Sequence, residues 1–147
     1  MIAAQVKIID LNVLLYVVNN DAVQHEAVHE WWIDALRGDE SIGLPWVVLL
    51  GFLRLSTNAR VFPQPLSPHK AMERVDTWLS LPIVHTPVEK ENHWSVLAGL
   101  LESAGVAGNL TTDAHLAALA ITRDAQLVSC DNDFARFEGL RYRNPLA

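Results

Sequence analysis

The sequence predicts an α/β fold of three layers, with a central, mainly parallel sheet flanked by helices. Three observations predict it. Short apolar runs such as Val6-Lys7-Ile8-Ile9 and Gln126-Leu127-Val128-Ser129 alternate with longer segments of helical spacing. Aspartates stand directly after two of those runs, where the strands of such a sheet end. The chain has 147 residues, of which 50% are hydrophobic and 19% charged, enough to bury a core without staples.

Each element follows from its residues. Residues 6–9 form a buried strand, short, β-branched and bounded by polar side chains. Residues 21–37 repeat apolar side chains at helical spacing, with Asp21 as N-cap and Gly38 as stop. Residues 41–44 read as a second strand ended by Pro45, and residues 46–57 as a strongly apolar helix. After the loop marked by Pro63 and Pro65, Pro68 suits the first turn of a helix reaching Leu79, capped by Ser67. Residues 83–85 give a short strand broken by Pro87, and residues 89–104 a helix stopped at Gly105. Gly108 and Asn109 introduce the helix of Asp113, which ends near Arg123. Residues 126–129 form a strand, residues 132–137 a short helix and residues 140–143 an edge strand. With no repeat, low-complexity tract or linker, residues 1–147 are expected to make a single domain.

Composition narrows the function. A net charge of −6 argues against coating nucleic acid by bulk electrostatics, but suits acids that bind a metal which then binds phosphate. It also suits a separate basic partner. No run approaches the roughly 18 apolar residues of a membrane span, and no export signal opens the chain, so a soluble cytoplasmic protein is expected. The lone Cys130 excludes an internal disulfide and a Cys-based zinc cage. A nucleophilic role for it would call on His115; a small buried residue at a strand end is the plainer reading.

The chemistry rests on four aspartates. Asp10 closes the first strand, Asp131 and Asp133 follow the strand at 126–129, and Asp113 opens a helix. Carboxylates gathered in one cleft repel each other unless a cation neutralises them, so a divalent metal site is the first hypothesis. Each also has an ordinary structural reading: Asp133 as cap of the short helix, Asp113 as a first-turn acid favoured by the helix dipole. The spacing of two aims Asp131 and Asp133 alike if that segment is extended. His25 and His29 lie one helical turn apart, a spacing compatible with zinc, yet no third ligand is evident. Trp31 and Trp32 cannot both face one direction on a helix.

Taken in order, Ile8-Ile9-Asp10-Leu11-Asn12-Val13-Leu14-Leu15-Tyr16, His25 with Trp31-Trp32, Leu44-Pro45-Trp46, and Phe52-Leu53-Arg54-Leu55-Ser56-Thr57-Asn58 form one pattern. Asp113-Ala114-His115-Leu116-Ala117-Ala118 and Ser129-Cys130-Asp131-Asn132-Asp133-Phe134 complete it. This ordered set resembles the PIN-domain ribonucleases, and within them the VapC toxins of toxin–antitoxin pairs, over nearly the whole chain. The resemblance implies a PIN-like fold and metal-dependent cleavage of an RNA phosphodiester with Mg2+ or Mn2+. It implies a protein antitoxin as partner and a homodimer. It makes Asp10, Asp113 and Asp131 the metal ligands, with Asp133 a further catalytic carboxylate. Asn12 and Ser129 would support them, and Arg54, Arg60, Lys70 and Arg136 are candidates for contacting RNA.

One departure matters: the family commonly carries a Glu before the Phe-Leu-Arg stretch, where this chain has Gly51. Close packing or a lost ligand are both open, and neither Glu40 nor Glu102 is assigned the role. A PIN-like binding module with weak or no activity is therefore the alternative. Phosphoryl transfer through an aspartyl nucleophile fits less well, because Asn12 stands where a second acid would act.

Overall fold

The computed structural model describes residues 5–147. Five strands form one sheet: β1 (Val6–Ile9), β2 (Ser41–Gly43), β3 (Val84–His85), β4 (Gln126–Val128) and β5 (Arg141–Arg143). Their spatial order is β3-β2-β1-β4-β5 and every pairing is parallel. Around them lie α1 (Leu11–Val18), α2 (His25–Arg37), α3 (Trp46–Ser56), α4 (Pro68–Leu79), α5 (His93–Ala104) and α6 (Leu110–Ile121), with a 3-10 turn at Asn132–Arg136.

From β1 the chain adds β2 and β3 on one side, then returns to add β4 and β5 on the other. Right-handed crossovers in opposite directions put their helices on opposite faces. Accordingly α1 packs on α2 and α3, and α3 on α4, while α5 pairs with α6, which lies against β1 and β4. The gap between β1 and β4 is thus the topological switch point, where open parallel sheets bind ligands at the carboxyl ends of their strands.

The core explains the apolar runs. Ile8, Ile9, Ile42, Leu127 and Val128 are fully buried in the central strands. Between α2, α3 and α4, Trp78 receives Phe52 at 4.9 Å and Trp32 at 6.0 Å, both ring pairs edge-on. Trp32 is buried and its neighbour Trp31 half-buried, as opposed directions on a helix require.

Several expected boundaries need correction. A two-turn helix to which the sequence reading assigns no element, α1, starts immediately after Asp10, which caps it by accepting from the Leu11 N–H at 2.7 Å. The next helix starts at His25 rather than residue 21: the chain first turns at Asn19, whose Oδ1 accepts from the Asp21 N–H and whose carbonyl accepts from the Ala22 N–H. The helix expected from residue 89 starts at His93. Two expected helix ends hold: Ser67 caps α4 by accepting from the Lys70 N–H at 3.2 Å, and Gly105 ends α5 at φ +73°.

Candidate functional site

The site grows from the carboxyl ends of β1 and β4. The Asp10 N–H donates to the Val128 carbonyl at 2.9 Å, carrying the sheet ladder to the last residue before α1. Ser129, fully buried, donates its hydroxyl to Asp10 Oδ2 at 2.8 Å. The same Ser129 Oγ accepts from Asn12 Nδ2 at 3.1 Å and from the Asp131 N–H at 3.0 Å. Asn12 Oδ1 in turn accepts from the Cys130 N–H at 3.0 Å. Asn12 and Ser129 therefore knot the two strand ends together and hold the Asp10 carboxylate in one orientation. Asn12 sits in the first turn of α1, not in a loop.

Burial pushes the Asp10 carboxyl above its ordinary range, the Ser129 and Leu11 hydrogen bonds pull it back, and the charge of Asp131 raises it again. Each Asp10 oxygen already accepts at least one hydrogen bond, so this acid is fixed rather than free.

The other three acids are open. Asp113, Asp131 and Asp133 line one pocket of about 450 Å3 together with Arg136, Asn109 and Leu110. Asp113 enters it from the first turn of α6. Asp131 caps the 3-10 turn through Oδ1, which accepts from the Asp133 N–H at 2.9 Å, so the cap is Asp131 and not Asp133. The segment turns at that point, and Asp133 reaches the pocket from a helical turn rather than from an extended strand. The Asp113 carboxyl is pushed up to about 6, first by burial and then by the charges of Asp10, Asp131 and Asp133, against a smaller opposing pull from Arg136.

All four aspartates are thus coupled through their charges, although Asp10 does not line the open pocket. Among the described residues, no three His, Cys, Asp or Glu side chains stand close enough to share one ion as placed. The donor set nevertheless fits a hard divalent cation: hard oxygen ligands, uncompensated negative charge and room for water. Magnesium keeps several of its waters and does not need a protein cage.

Gly51 is buried on α3, and a Cβ there would lie 2.7 Å from Leu11 Cδ2, the far end of a flexible side chain. The side chain of Leu11 thus occupies the space beside Gly51, and α3 carries no carboxylate. Of the four basic candidates only Arg136 lines the acidic pocket. Arg54 lies in the last turn of α3, eight residues and roughly 12 Å along the axis from its start at the carboxyl edge. Arg60 follows in the next loop, and Lys70 lies 3.9 Å from Glu73 on α4.

Cys130 is set aside as a nucleophile. Burial and the Asp10 charge push its thiol up to about 11, and His115 is engaged elsewhere. Two residues from Asp113 and so on the other side of α6, the His115 ring meets His93 at 2.9 Å and lies 3.7 Å from Glu89. Burial, then His93, lowers its pKa. Sequence reading missed this pair, and nothing in residues 22 positions apart signals it.

Three comparisons bear on the identity. The family model described as "PIN domain" matches residues 7–140. Ribonuclease VapC37 of Mycobacterium tuberculosis is 43% identical over 141 residues, covering 96% of this chain and 98% of the relative. Ribonuclease VapC33 of the same species is 44% identical over 137 residues, covering 93% and 96%. Among solved structures, VapBC2 from Rickettsia felis, bound to a DNA fragment from its promoter, aligns with a TM-score of 0.71 at 19% identity, over 95% of this chain and 98% of that one. VapBC-1 from nontypeable Haemophilus influenzae gives 0.69 at 14% identity, over 97% and 100%. At those identities the structures speak for the fold.

Proposed function

Because this chain belongs to the PIN-domain family, among its VapC ribonucleases, we propose that it cuts RNA as a divalent-metal-dependent endonuclease and acts as the toxin of a toxin–antitoxin pair. The observation that carries this reading is the open acidic pocket at the topological switch point, where Asp113, Asp131 and Asp133 face one another beside Arg136.

In this reading Asp113 and Asp131 hold the cation, Asp10 acts on it from the buried side, and Asp133 takes part from the 3-10 turn. A Mg2+ or Mn2+ ion held there supplies positive charge to the phosphate and makes a nearby water more acidic. The chain's own residues do the remaining work. Ser129 and Asn12 keep the Asp10 carboxylate aimed by occupying its Oδ2. Arg136 offers a guanidinium to a phosphate entering the pocket, which a bidentate donor fork suits.

The partner is a protein antitoxin that neutralises the toxin; the solved relatives are VapBC pairs. Its net charge of −6 favours a basic antitoxin segment. Exposed Trp46, Leu50 and Trp94 supply apolar area for the antitoxin or for a homodimer partner. No helix of the described residues is long and apolar enough to cross a membrane, in keeping with action in the cytoplasm.

The second reading is a binding module that lost its activity, favoured by the acid-free α3 side at Gly51. Cellular RNA incubated with the protein and Mg2+ or Mn2+, mapped at nucleotide resolution, separates the two. Discrete cuts that vanish in Asp10→Asn and in EDTA support the nuclease. Undiminished cutting in EDTA sinks the metal mechanism. No cutting, together with a Mg2+ titration identical for wild type and Asp131→Asn, supports the binding module.

A further inference from the structure

Away from the acidic pocket, His25 begins α2 and His29 follows one turn later. His25 Nδ1 lies 2.7 Å from the Tyr16 carbonyl oxygen. A carbonyl oxygen only accepts, so Nδ1 carries a proton and Nε2 is the ring nitrogen left to take a metal ion. A histidine whose second nitrogen donates to a backbone carbonyl is oriented and made more basic as a metal ligand. His29 is exposed, with no hydrogen bond to another described residue tying its ring down.

The ring centroids of His25 and His29 are 5.3 Å apart. A metal about 2.0–2.1 Å from one nitrogen of each ring, at tetrahedral or right-angled ligation, places two imidazole centroids roughly 4.5–5.5 Å apart. The observed separation falls within that range without any change of backbone. The pair opens onto a groove of about 410 Å3 along α2, where the three acids Glu26, Glu30 and Asp34 outnumber the one base, Arg37.

We propose that His25 and His29 form a two-imidazole clamp for one late first-row divalent metal ion (Cu2+, Ni2+ or Zn2+), distinct from the acidic pocket. Imidazole suits these ions, whereas the carboxylates of the acidic pocket suit Mg2+ and Mn2+, so the two sites sort metals by ligand type. Among the described residues no third His, Cys, Asp or Glu completes the set, and water fills the remaining positions. Occupancy links His29 to His25, which is already bonded to the Tyr16 carbonyl of α1, and stabilises the fold because an unfolded chain does not hold the two rings together. The inference does not depend on ribonuclease activity.

The test uses the full chain, stripped with a chelator, titrated with Ni2+, Zn2+, Cu2+ and Mg2+ in turn by calorimetry. Wild type is expected to bind one equivalent at this site, with Cu2+ tightest and no Mg2+ binding there. His25→Gln and His29→Gln should each weaken that affinity roughly tenfold or more, and Asp131→Asn should leave it unchanged. Ni2+ should raise the melting temperature of wild type and Asp131→Asn but not of His29→Gln. In NMR, Cu2+ should broaden the ring signals of His25 and His29 before those of the other four histidines. Should His25→Gln unfold through loss of the Tyr16 tie, His29→Gln still decides, since its ring supports nothing else. Affinity that survives in His29→Gln, or is lost in Asp131→Asn, overturns the proposal.

Discussion

The two sides of Asp10 are built oppositely. Toward α3 the surroundings are apolar, with the Leu11 side chain beside Gly51 and no carboxylate on that helix. Toward α6 and the 3-10 turn it is acidic and open, with three carboxylates and a guanidinium around one pocket. Asp10 sits between them, buried and held by Ser129, Asn12 and the Leu11 N–H. The difference teaches where chemistry has room to occur: on the side where charge remains uncompensated and water can enter. It also separates two tasks. The hydrogen bonds at Asp10 offset part of the cost of burying it, while the Asp113 charge works against the fold until something positive joins it.

That contrast can be broken at its strongest point first. Asp131→Asn should reduce metal-dependent RNA cleavage at least about a hundredfold, the loss of roughly 3 kcal/mol of charge stabilisation. The melting temperature should not fall, because an Asn oxygen can still accept from the Asp133 N–H. A variant that cuts like wild type would remove the open side from the mechanism.

Next in size is the knot. Asn12→Ala strips the acceptor from the Cys130 N–H and a donor from the buried Ser129 hydroxyl. Urea denaturation should show a loss of about 1–3 kcal/mol. A change within error would mean that water replaces the amide, and that Ser129 and the Leu11 N–H hold Asp10 without it.

The Leu11–Gly51 contact is tested by Gly51→Glu, which turns the end of the Leu11 side chain aside and should cost about 0.5–1.5 kcal/mol in urea denaturation. Adding Leu11→Ala opens the space, and the two changes should couple by roughly 0.5–3 kcal/mol rather than add. Strict additivity would show that Leu11 is not what fills the position.

The smallest effect carries its own sign. The Asp113 pKa of about 6 lies above its ordinary value of 3.8, so ionisation is less favourable in the folded chain. The resulting penalty is absent below pH 3.8, grows between there and about 6, and is complete above. In metal-free buffer at pH 7.5, Asp113→Asn should therefore melt a few degrees above wild type, with the gap closing by pH 4. Because the group is partly exposed, solvent screening keeps the effect modest.

Some of this was legible in residue order and some was not. The strands showed themselves as short β-branched runs, and Ser67-Pro68 and Gly105 announced helix ends through local chemistry. Helix α1 did not, because Leu11 to Val18 is nearly all apolar and rich in Val, which gives no helical period to see. The available signal was Asp10 itself, read as a ligand when it is also an N-cap. Asp21 misled in the opposite direction, having the chemistry of a cap but serving a turn.

The sequence by itself determined the α/β class, the places of the strands and the arrival of Asp10 and Asp131 at one edge of the sheet. Those follow from local rules, since apolar alternation and turn residues act within a few positions. Only the tertiary structure decided that Asp113, Asp131, Asp133 and Arg136 share one pocket while Asp10 lies behind it in a hydrogen-bonded knot. It also decided that Gly51 is a close approach for Leu11. These depend on how helices distant in sequence settle on the sheet, where a shift of one side chain changes which charges meet and which spaces close.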